Sequence, residues 1–352
     1  MWAMVVKEFR QMRRDHRALA LMIALPLLML VVFGYAASFD VTQVPTRVVG
    51  PAAEQAARQL PGILEVVEVR AEQDADEARD ALRAGEVPVA VVAGASQVRV
   101  LVDGSQLFTA RAVAAGLASA APTVDVEVLF NESLDTAAVM IPGIVGLILV
   151  FIGTVITSLG MVRERAAGTL EQLAVLPLRS RDVLVGKIAP YFLVAAVDLT
   201  VVVVVGVVLF EVPFNGSPWL LALGSALFLL VTLGVGLLVS SVSESSGQAI
   251  QLALMTLLPQ VMLSGLIFPL EAMPVAIRSI AYVLPLTYFV EISRAVMVRG
   301  ADLAAIAEPL LLLLVLGIVV FGAALARTRR DLVPARPRKD PTARQQAGPV
   351  TA

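Results

Sequence analysis

Charge disappears from the chain in long runs. Residues 18–39, between Arg17 and Asp40, carry no Asp, Glu, Lys or Arg, and neither do residues 136–162, 212–243, 245–270 and 309–326. Residues 188–210 are apolar except for Asp198. A helix needs about 20 apolar residues to cross the hydrocarbon core of a bilayer. The pattern therefore predicts six transmembrane helices, near 18–38, 138–161, 188–210, 218–239, 248–268 and 305–326.

Residues 39–137 follow a different rhythm. Ile63–Arg70 alternates apolar and charged positions, as a half-buried strand does. Arg47–Gly50, Val87–Val92, Val98–Val102 and Thr123–Phe130 read as further strands. Ala52–Leu60, Asp74–Ala84 and Phe108–Ala120 read as helices, the second closed by Gly85, a C-terminal signal. Asp103-Gly104 ends a strand as a turn. The expectation is an inserted α/β domain with one core. No stretch repeats at a fixed period.

Composition agrees with the pattern and charge orients it. Of 352 residues, 58% are hydrophobic and 16% charged, against about a quarter charged in a soluble domain. An ordinary soluble enzyme is excluded. The basic residues, of which 24 of 27 are Arg, gather in short segments. Lys7, Arg10, Arg13, Arg14 and Arg17 precede the first span. Arg163, Arg165, Arg179, Arg181 and Lys187 lie in 162–187, and seven more follow residue 326. Residues 40–135 carry 15 acids and 7 bases, a net of -8. Basic loops stay in the cytoplasm. Six spans with both termini inside place all three basic segments there and put the α/β domain outside, in a multi-pass protein of the cell (inner) membrane. Residues 18–37 also have the look of a secretory h-region, with Ala36 and Ala37 near its end, but h-regions usually run about 7–15 residues. A retained helix is the expectation.

Residues 1–17 place Trp2, Val5, Val6, Phe9 and Met12 at helical spacing with cations on other faces. They read as an amphipathic helix in the cytoplasmic interface, or as a plain topology anchor. Ser240–Gly247 is a cytoplasmic turn. Residues 327–352 are basic and polar and read as a disordered tail drawn to anionic lipid rather than to nucleic acid.

Little in the chain carries catalytic chemistry. There is no Cys and one His, His16. That excludes disulfides and thiolate sites and argues against a histidine metal site or triad. Asp74, Asp76, Glu77 and Asp80 share a helix and read as a solvated face. Asn131-Glu132-Ser133 matches the glycosylation triplet, which has meaning only in a eukaryotic secretory pathway. A phosphate-binding P-loop needs G-x-x-x-x-G-K-[S/T]. The one Gly-Lys, Gly186-Lys187, has Arg181 where the first Gly belongs and Ile188 where Ser or Thr belongs. No cofactor is expected on this chain. Asp198 falls near mid-bilayer, where a carboxylate costs roughly 2.5–3.5 kcal/mol on insertion scales. It is either a neutral carboxyl bonded to Ser or Thr, or a contact in a translocation path or dimer interface. Glu291 and Arg294 are three apart and can pair on one helix face.

In the cytoplasmic segment, Arg163, Glu164, Arg165, Ala166, Ala167, Gly168, Thr169, Leu170 and Glu171 are followed by Pro177 and Gly186-Lys187. Leu170, Leu173 and Leu176 add an apolar stripe, so the segment suits a partner's groove or packing on its own helices. This pattern resembles the segment between the second and third helices of the ABC-2 family of ABC-transporter permeases. Leu263 to Pro269, Met273-Pro274, Pro285 to Tyr288, Glu291, Arg294 and Arg299-Gly300 resemble that family's stretch from fifth to sixth helix. Gly85 to Val92 and Leu101 to Ser105 resemble the subgroup with a large external domain after the first helix. One departure is that Val48-Val49 runs into Gly50-Pro51, where the subgroup often has acidic residues. The likeness spans residues 1 to about 330.

The resemblance implies the membrane half of an ATP-driven exporter. It implies pairing as a homo- or heterodimer with a second permease, and docking to separate ABC ATPase subunits that hold ATP and Mg. It implies a coupling helix within 162–187, with Arg163, Glu164, Arg165, Gly168, Thr169 and Glu171 at the contact. It further implies an external re-entrant hairpin over 269–303, broken by Pro269, Pro274 and Pro285 and carrying Tyr288, Glu291 and Arg294. The expected fold is thus a mainly α membrane protein: interfacial helix 1–17, transmembrane helix 18–38, extracytoplasmic α/β domain 39–137, and transmembrane helices two to six with their hairpin over 138–326. A different class, a membrane-anchored sensor or interaction protein with an external ligand-binding domain, fits the layout but not the motifs. A membrane enzyme lacks residues to carry its chemistry.

Overall fold

The computed structural model describes residues 43–94, 97–120, 124–167 and 180–332. The expected interfacial helix 1–17, the span at 18–38, and Gly168, Thr169 and Glu171 lie outside the described residues, as does the tail from residue 333.

The first described unit is a five-stranded sheet with helices on both faces. Its elements are β1 (Val44–Val49), α1 (Ala53–Ala57), β2 (Leu64–Arg70), α2 (Ala75–Ala84), β3 (Val89–Ala93), β4 (Val98–Asp103), α3 (Leu107–Ala120) and β5 (Asp125–Leu129). The strand order is β2-β1-β3-β4-β5. Only the β3–β4 pair is antiparallel, with Val91 opposite Val100. Period-two alternation sorts the core. Val48, Val91, Val100 and Val102 pack with Ala110, Val113 and Leu117 of α3 on one face. Val49, Ala90 and Leu101 pack with Ala78 and Leu82 of α2 on the other. Pro45 is tolerated in β1 because pairing with β3 begins only at Thr46, so its missing N–H leaves no bond unmade.

Helix α2 shows what the acidic cluster does. Asp74 accepts from the Asp76 and Glu77 amides while Glu77 returns a bond to the Asp74 amide, a capping box. Asp76 and Asp80 pair with Arg79 and Arg83. The helix ends on Gly85 at φ +78°. Asn131 of the glycosylation triplet is buried, its amide donating to the carbonyls of Gly104 and Asp135. That side chain is spent inside the structure and offers nothing to a glycan.

The second unit is helical. α4 (Thr136–Val150) passes through a π-helical turn (Phe151–Ile156) into α5 (Thr157–Ala166). Then come α6 (Ser180–Phe210), α7 (Pro218–Val242), α8 (Ser246–Leu263), a 3-10 turn (Leu270–Ala272), α9 (Val275–Ala281) and α10 (Pro285–Arg294). A second π-turn (Ala295–Arg299) leads to α11 (Leu303–Leu332). Among the described residues, four stretches are long and apolar enough to cross a membrane: Thr136–Glu164, Ala189–Phe210, Pro218–Val242 and Leu303–Ala324. They coincide with four of the expected spans. The expected span at 248–268 differs. α8 has 18 residues, carries Gln248, Gln251 and Gln260, and stops where Gly265 takes φ +79°.

α7 is the centre of this unit and packs against α11, α5, α10 and both π-turns. Small residues allow it to come close, as in membrane helix pairs generally. A β-carbon on Gly236 would stand 2.4 Å from the Gly153 carbonyl oxygen. By contrast α6 leaves Val197, Val201, Val204 and Val208 exposed, and α11 leaves Leu311, Val315 and Ile318 exposed. These faces are apolar, as a lipid-facing surface must be.

The ends of the helices define two ends of the bundle. The sheet domain leads directly into α4. Asn215, in the α6–α7 loop, bonds the carbonyls of Met297 and Val298. Gly265, at the end of α8, accepts from Arg294. All of these lie at the sheet-domain end, so residues 264–302 leave and return at the same end. Within them α9 and α10 are bent by 81°. α10 enters deeply. Phe289 stacks on Phe228 with centroids 4.6 Å apart and would clash with a β-carbon on Gly146. Phe228 and Gly146 each lie ten residues into their helices, about 15 Å along the axis at 1.5 Å per residue. That is about half of a hydrocarbon core.

Replacing Gly236 by Ala is expected to force α4 and α7 apart and lower stability by about 1–3 kcal/mol. Gly322→Ala, with nothing within 4 Å of the added carbon, is expected to leave it unchanged or slightly raised. Thermal unfolding of both variants in detergent checks this. Equal melting temperatures contradict the close-packing account.

Candidate functional site

Three groups of residues were singled out by sequence, and the structure places them at different levels. Arg163 and Glu164 occupy the last turn of α5, far from the sheet domain, with Arg165 in the same turn. Arg163 is exposed and Glu164 half-buried. Here α5 and α6 approach closely: Gly160 leaves room for the Tyr191 hydroxyl, which a β-carbon would approach to 2.0 Å.

Asp198 sits half-buried in α6, the least buried of the candidate spans among the described residues. Its neighbour Thr200 spends its hydroxyl on the Ala196 carbonyl. Among the described residues, no hydrogen bond or ion pair to Asp198 is seen.

The hairpin residues come together at the sheet-domain end. The three prolines begin elements instead of interrupting them. Pro269 caps the 3-10 turn, Pro274 caps α9, and Pro285 is the first residue of α10, where its fixed φ and missing N–H cost nothing. The Tyr288 hydroxyl donates to the Tyr282 carbonyl, and Thr287 Oγ1 to the Ala281 carbonyl at 2.7 Å. Arg294 reaches beyond its own helix. Its guanidinium donates to the carbonyls of Val139, Gly265 and Leu266 at 3.3, 3.1 and 3.2 Å. It thereby ties the end of α8 to the start of α4. Glu291 is exposed and lines a cavity with Arg294.

Sequence reasoning placed Asp103 in a turn and Arg299 in a family-like motif but did not link the two. They form a buried pair between the two units, Arg299 Nη1 to Asp103 Oδ2 at 3.5 Å, with exposures of 7% and 0%. Arg299 Nη1 also reaches Ser105 Oγ at 3.5 Å, and the Ser105 amide donates to Asp103 at 2.8 Å. Gly85 makes the approach possible: a β-carbon there would stand 2.8 Å from Arg299 Nη2. Burial pushes the Asp103 carboxyl above the ordinary range, and Arg299 opposes it most strongly. The signal in the sequence was the Asp103-Gly104-Ser105 turn and Arg299 beside Gly300, but nothing linked two positions almost 200 residues apart.

Between the sheet domain, the hairpin and α11 these residues enclose a cavity of about 350 Å³. Ser264, Tyr288, Glu291, Arg294, Arg299 and Glu308 supply its polar lining. Among the described residues, no group of three or more His, Asp or Glu is arranged to hold a metal ion.

A helical bundle with apolar outer faces, a broken helix pair and a docked α/β domain defines a polytopic membrane protein. Comparison with known proteins then gives the family. The family described as ABC-2 family transporter protein matches residues 16–326. The chain belongs to that family and is a multi-pass transmembrane permease. Escherichia coli (strain K12) supplies similar proteins. The probable multidrug ABC transporter permease YbhS is 28% identical, covering 94% of this chain and 97% of its own. YbhR, also described as a probable multidrug ABC transporter permease, is 31% identical over 58% of this chain and 55% of its own. The inner membrane transport permease YhhJ is 34% identical over 60% of this chain and 56% of its own. These relatives make the chain a permease subunit of an ABC transporter.

Removing Arg299 alone leaves the Asp103 carboxyl buried without its cation. Arg299→Met is expected to destabilise the junction by about 3–5 kcal/mol, and the double variant with Asp103→Asn to recover part of that loss. Limited proteolysis and thermal unfolding of the purified chain read the effect. A single variant as resistant as wild type contradicts a buried clasp.

Proposed function

We propose that this permease exports its substrate, with ATP hydrolysis supplied by separate ABC ATPase subunits and with a second permease, identical or paralogous, completing the path. One observation carries this reading: the described helix ends at the basic segments, Ala166, Ser180 and Leu332, lie at the bundle end opposite the sheet domain. Basic segments mark the cytoplasmic side. The sheet domain is then extracytoplasmic, and both termini are cytoplasmic. With residues 18–38 and α8 counted as crossings, the spans number six. Residues 264–302 form a re-entrant hairpin that dips from the outer surface to mid-bilayer. The stretch beginning at Arg163 is the coupling helix. Its charges meet the ATPase, so nucleotide-driven movement is passed through α5 into α4 and α6. Asp198, at mid-depth on α6, contributes to the translocation path or to the contact with the second permease.

Relatives described as multidrug permeases favour amphipathic cargo, and the apolar helices agree. The sensor alternative gains nothing from these observations. It predicts a signalling partner at the cytoplasmic end and no stoichiometric ATPase.

Co-expression with the ATPase of a neighbouring reading frame tests the proposal. The ATPase is expected to co-purify with the permease. Glu171→Ala is expected to lower substrate-stimulated ATP hydrolysis about tenfold, equal to some 1.4 kcal/mol of coupling, with permease levels unchanged. Absence of the ATPase from the complex removes the mechanism. Asp198→Asn is expected to reduce efflux of an amphipathic dye in cells with normal permease levels. Unchanged efflux removes Asp198 from the path.

A further inference from the structure

The 350 Å³ cavity between sheet domain, hairpin and α11 falls within the range of small-molecule sites, about 300–1,000 Å³. Two of its lining side chains hold unspent polar atoms in buried positions. Ser264 is 1% exposed and its hydroxyl has no partner among the described residues. Arg299 is 7% exposed, and although its Nη1 serves Asp103, its Nε–H has no partner among them. A buried donor left unpaired costs free energy that a ligand acceptor recovers. Both donors suit an anionic oxygen. The same cavity is also lined by Glu308, which stands five residues inside the apolar run that begins at Leu303, about 8 Å along the axis. Glu308 is exposed, so its carboxylate is open to a cation in the cavity that it shares with Arg294 and Arg299. The cavity thus offers donors for an anion and a carboxylate for a cation, and Pro309 and Leu312 of the apolar α11 run are part of its wall.

We propose that this cavity binds the zwitterionic amino-phosphate headgroup of a membrane phospholipid. The phosphate oxygens accept from Arg299 Nε and Ser264 Oγ, and the ammonium lies against Glu308. The lipid wedges between the sheet domain and the hairpin, so its occupancy bears on how the two units stay docked. A lipid is favoured over a soluble zwitterion because Glu308 and Leu312 belong to a membrane-crossing run. The proposal does not depend on coupling to an ATPase.

Native mass spectrometry of the delipidated full chain tests it, with phosphatidylethanolamine and phosphatidylglycerol added back separately. Wild type is expected to retain phosphatidylethanolamine about tenfold more strongly, the worth of one charge-assisted bond. Glu308→Gln is expected to lose that preference. Ser264→Ala, which removes only a hydroxyl, is expected to weaken retention several-fold and decides the matter if the first variant does not fold. Equal retention of the two lipids by wild type overturns the proposal, as does wild-type behaviour of Ser264→Ala together with any folded Glu308→Gln. Displacement by free phosphoethanolamine at equal concentration also overturns it, because the site is then one for a soluble ligand, and a cavity that retains neither lipid holds water alone.

Discussion

An apolar solvent cannot satisfy a backbone carbonyl, and the helical unit is organised around that constraint. Continuous helices meet it by themselves. Residues 264–302 cannot, because α8 stops at Gly265 and the chain turns several times before α11. Side chains take over there. Arg294 serves three carbonyls, Thr287 and Tyr288 serve those of Ala281 and Tyr282, and Asn215 serves that of Val298. One arginine therefore fixes the end of α8 against the start of α4 and fixes the base of α10 between them. Phe289 can then reach Phe228 at mid-depth without leaving an unsatisfied loop behind it.

The same end of the bundle holds the sheet domain by a second arginine. Arg299 follows the π-turn after α10 and reaches past Gly85 to the Asp103-Gly104-Ser105 turn. A buried ion pair of this kind adds little net stability, but losing one partner is costly. It therefore sets position more than strength. Hairpin and sheet domain are joined through six residues, Arg294 to Arg299, so a shift of α10 is felt at the domain junction.

Much of this was legible in the sequence, and for physical reasons. Charge-free runs gave four of the described helices because lipid forbids charge. Alternation and the Gly85 stop gave the strands and α2 because a sheet domain sorts its faces by period two. Where local pattern is not the deciding force, the reading was less close. α8 ends sooner than its apolar run, because Gly265 turns the chain and three glutamines thin its apolar face. Only sequence neighbours are visible in a sequence, so Arg294 could be read only against Glu291 three residues away. Its contacts to Val139, Gly265 and Leu266 depend on tertiary structure, as does the Arg299–Asp103 pair. The prolines of the hairpin read as breaks, and in the structure each marks a break by starting the next element. The family motifs around Arg163 and Pro269 had meaning only through resemblance.

The central claim is that the sheet domain and the α5 end face opposite sides of the membrane. A chain without cysteine suits the direct measurement. Single cysteines at two exposed positions, Gln55→Cys on α1 and Ala167→Cys beyond α5, are exposed to a membrane-impermeant thiol reagent in intact cells with a permeabilised outer envelope. The account predicts labelling at position 55 and protection at 167 until the inner membrane is opened. Labelling at 167 with protection at 55, or labelling at both, contradicts it.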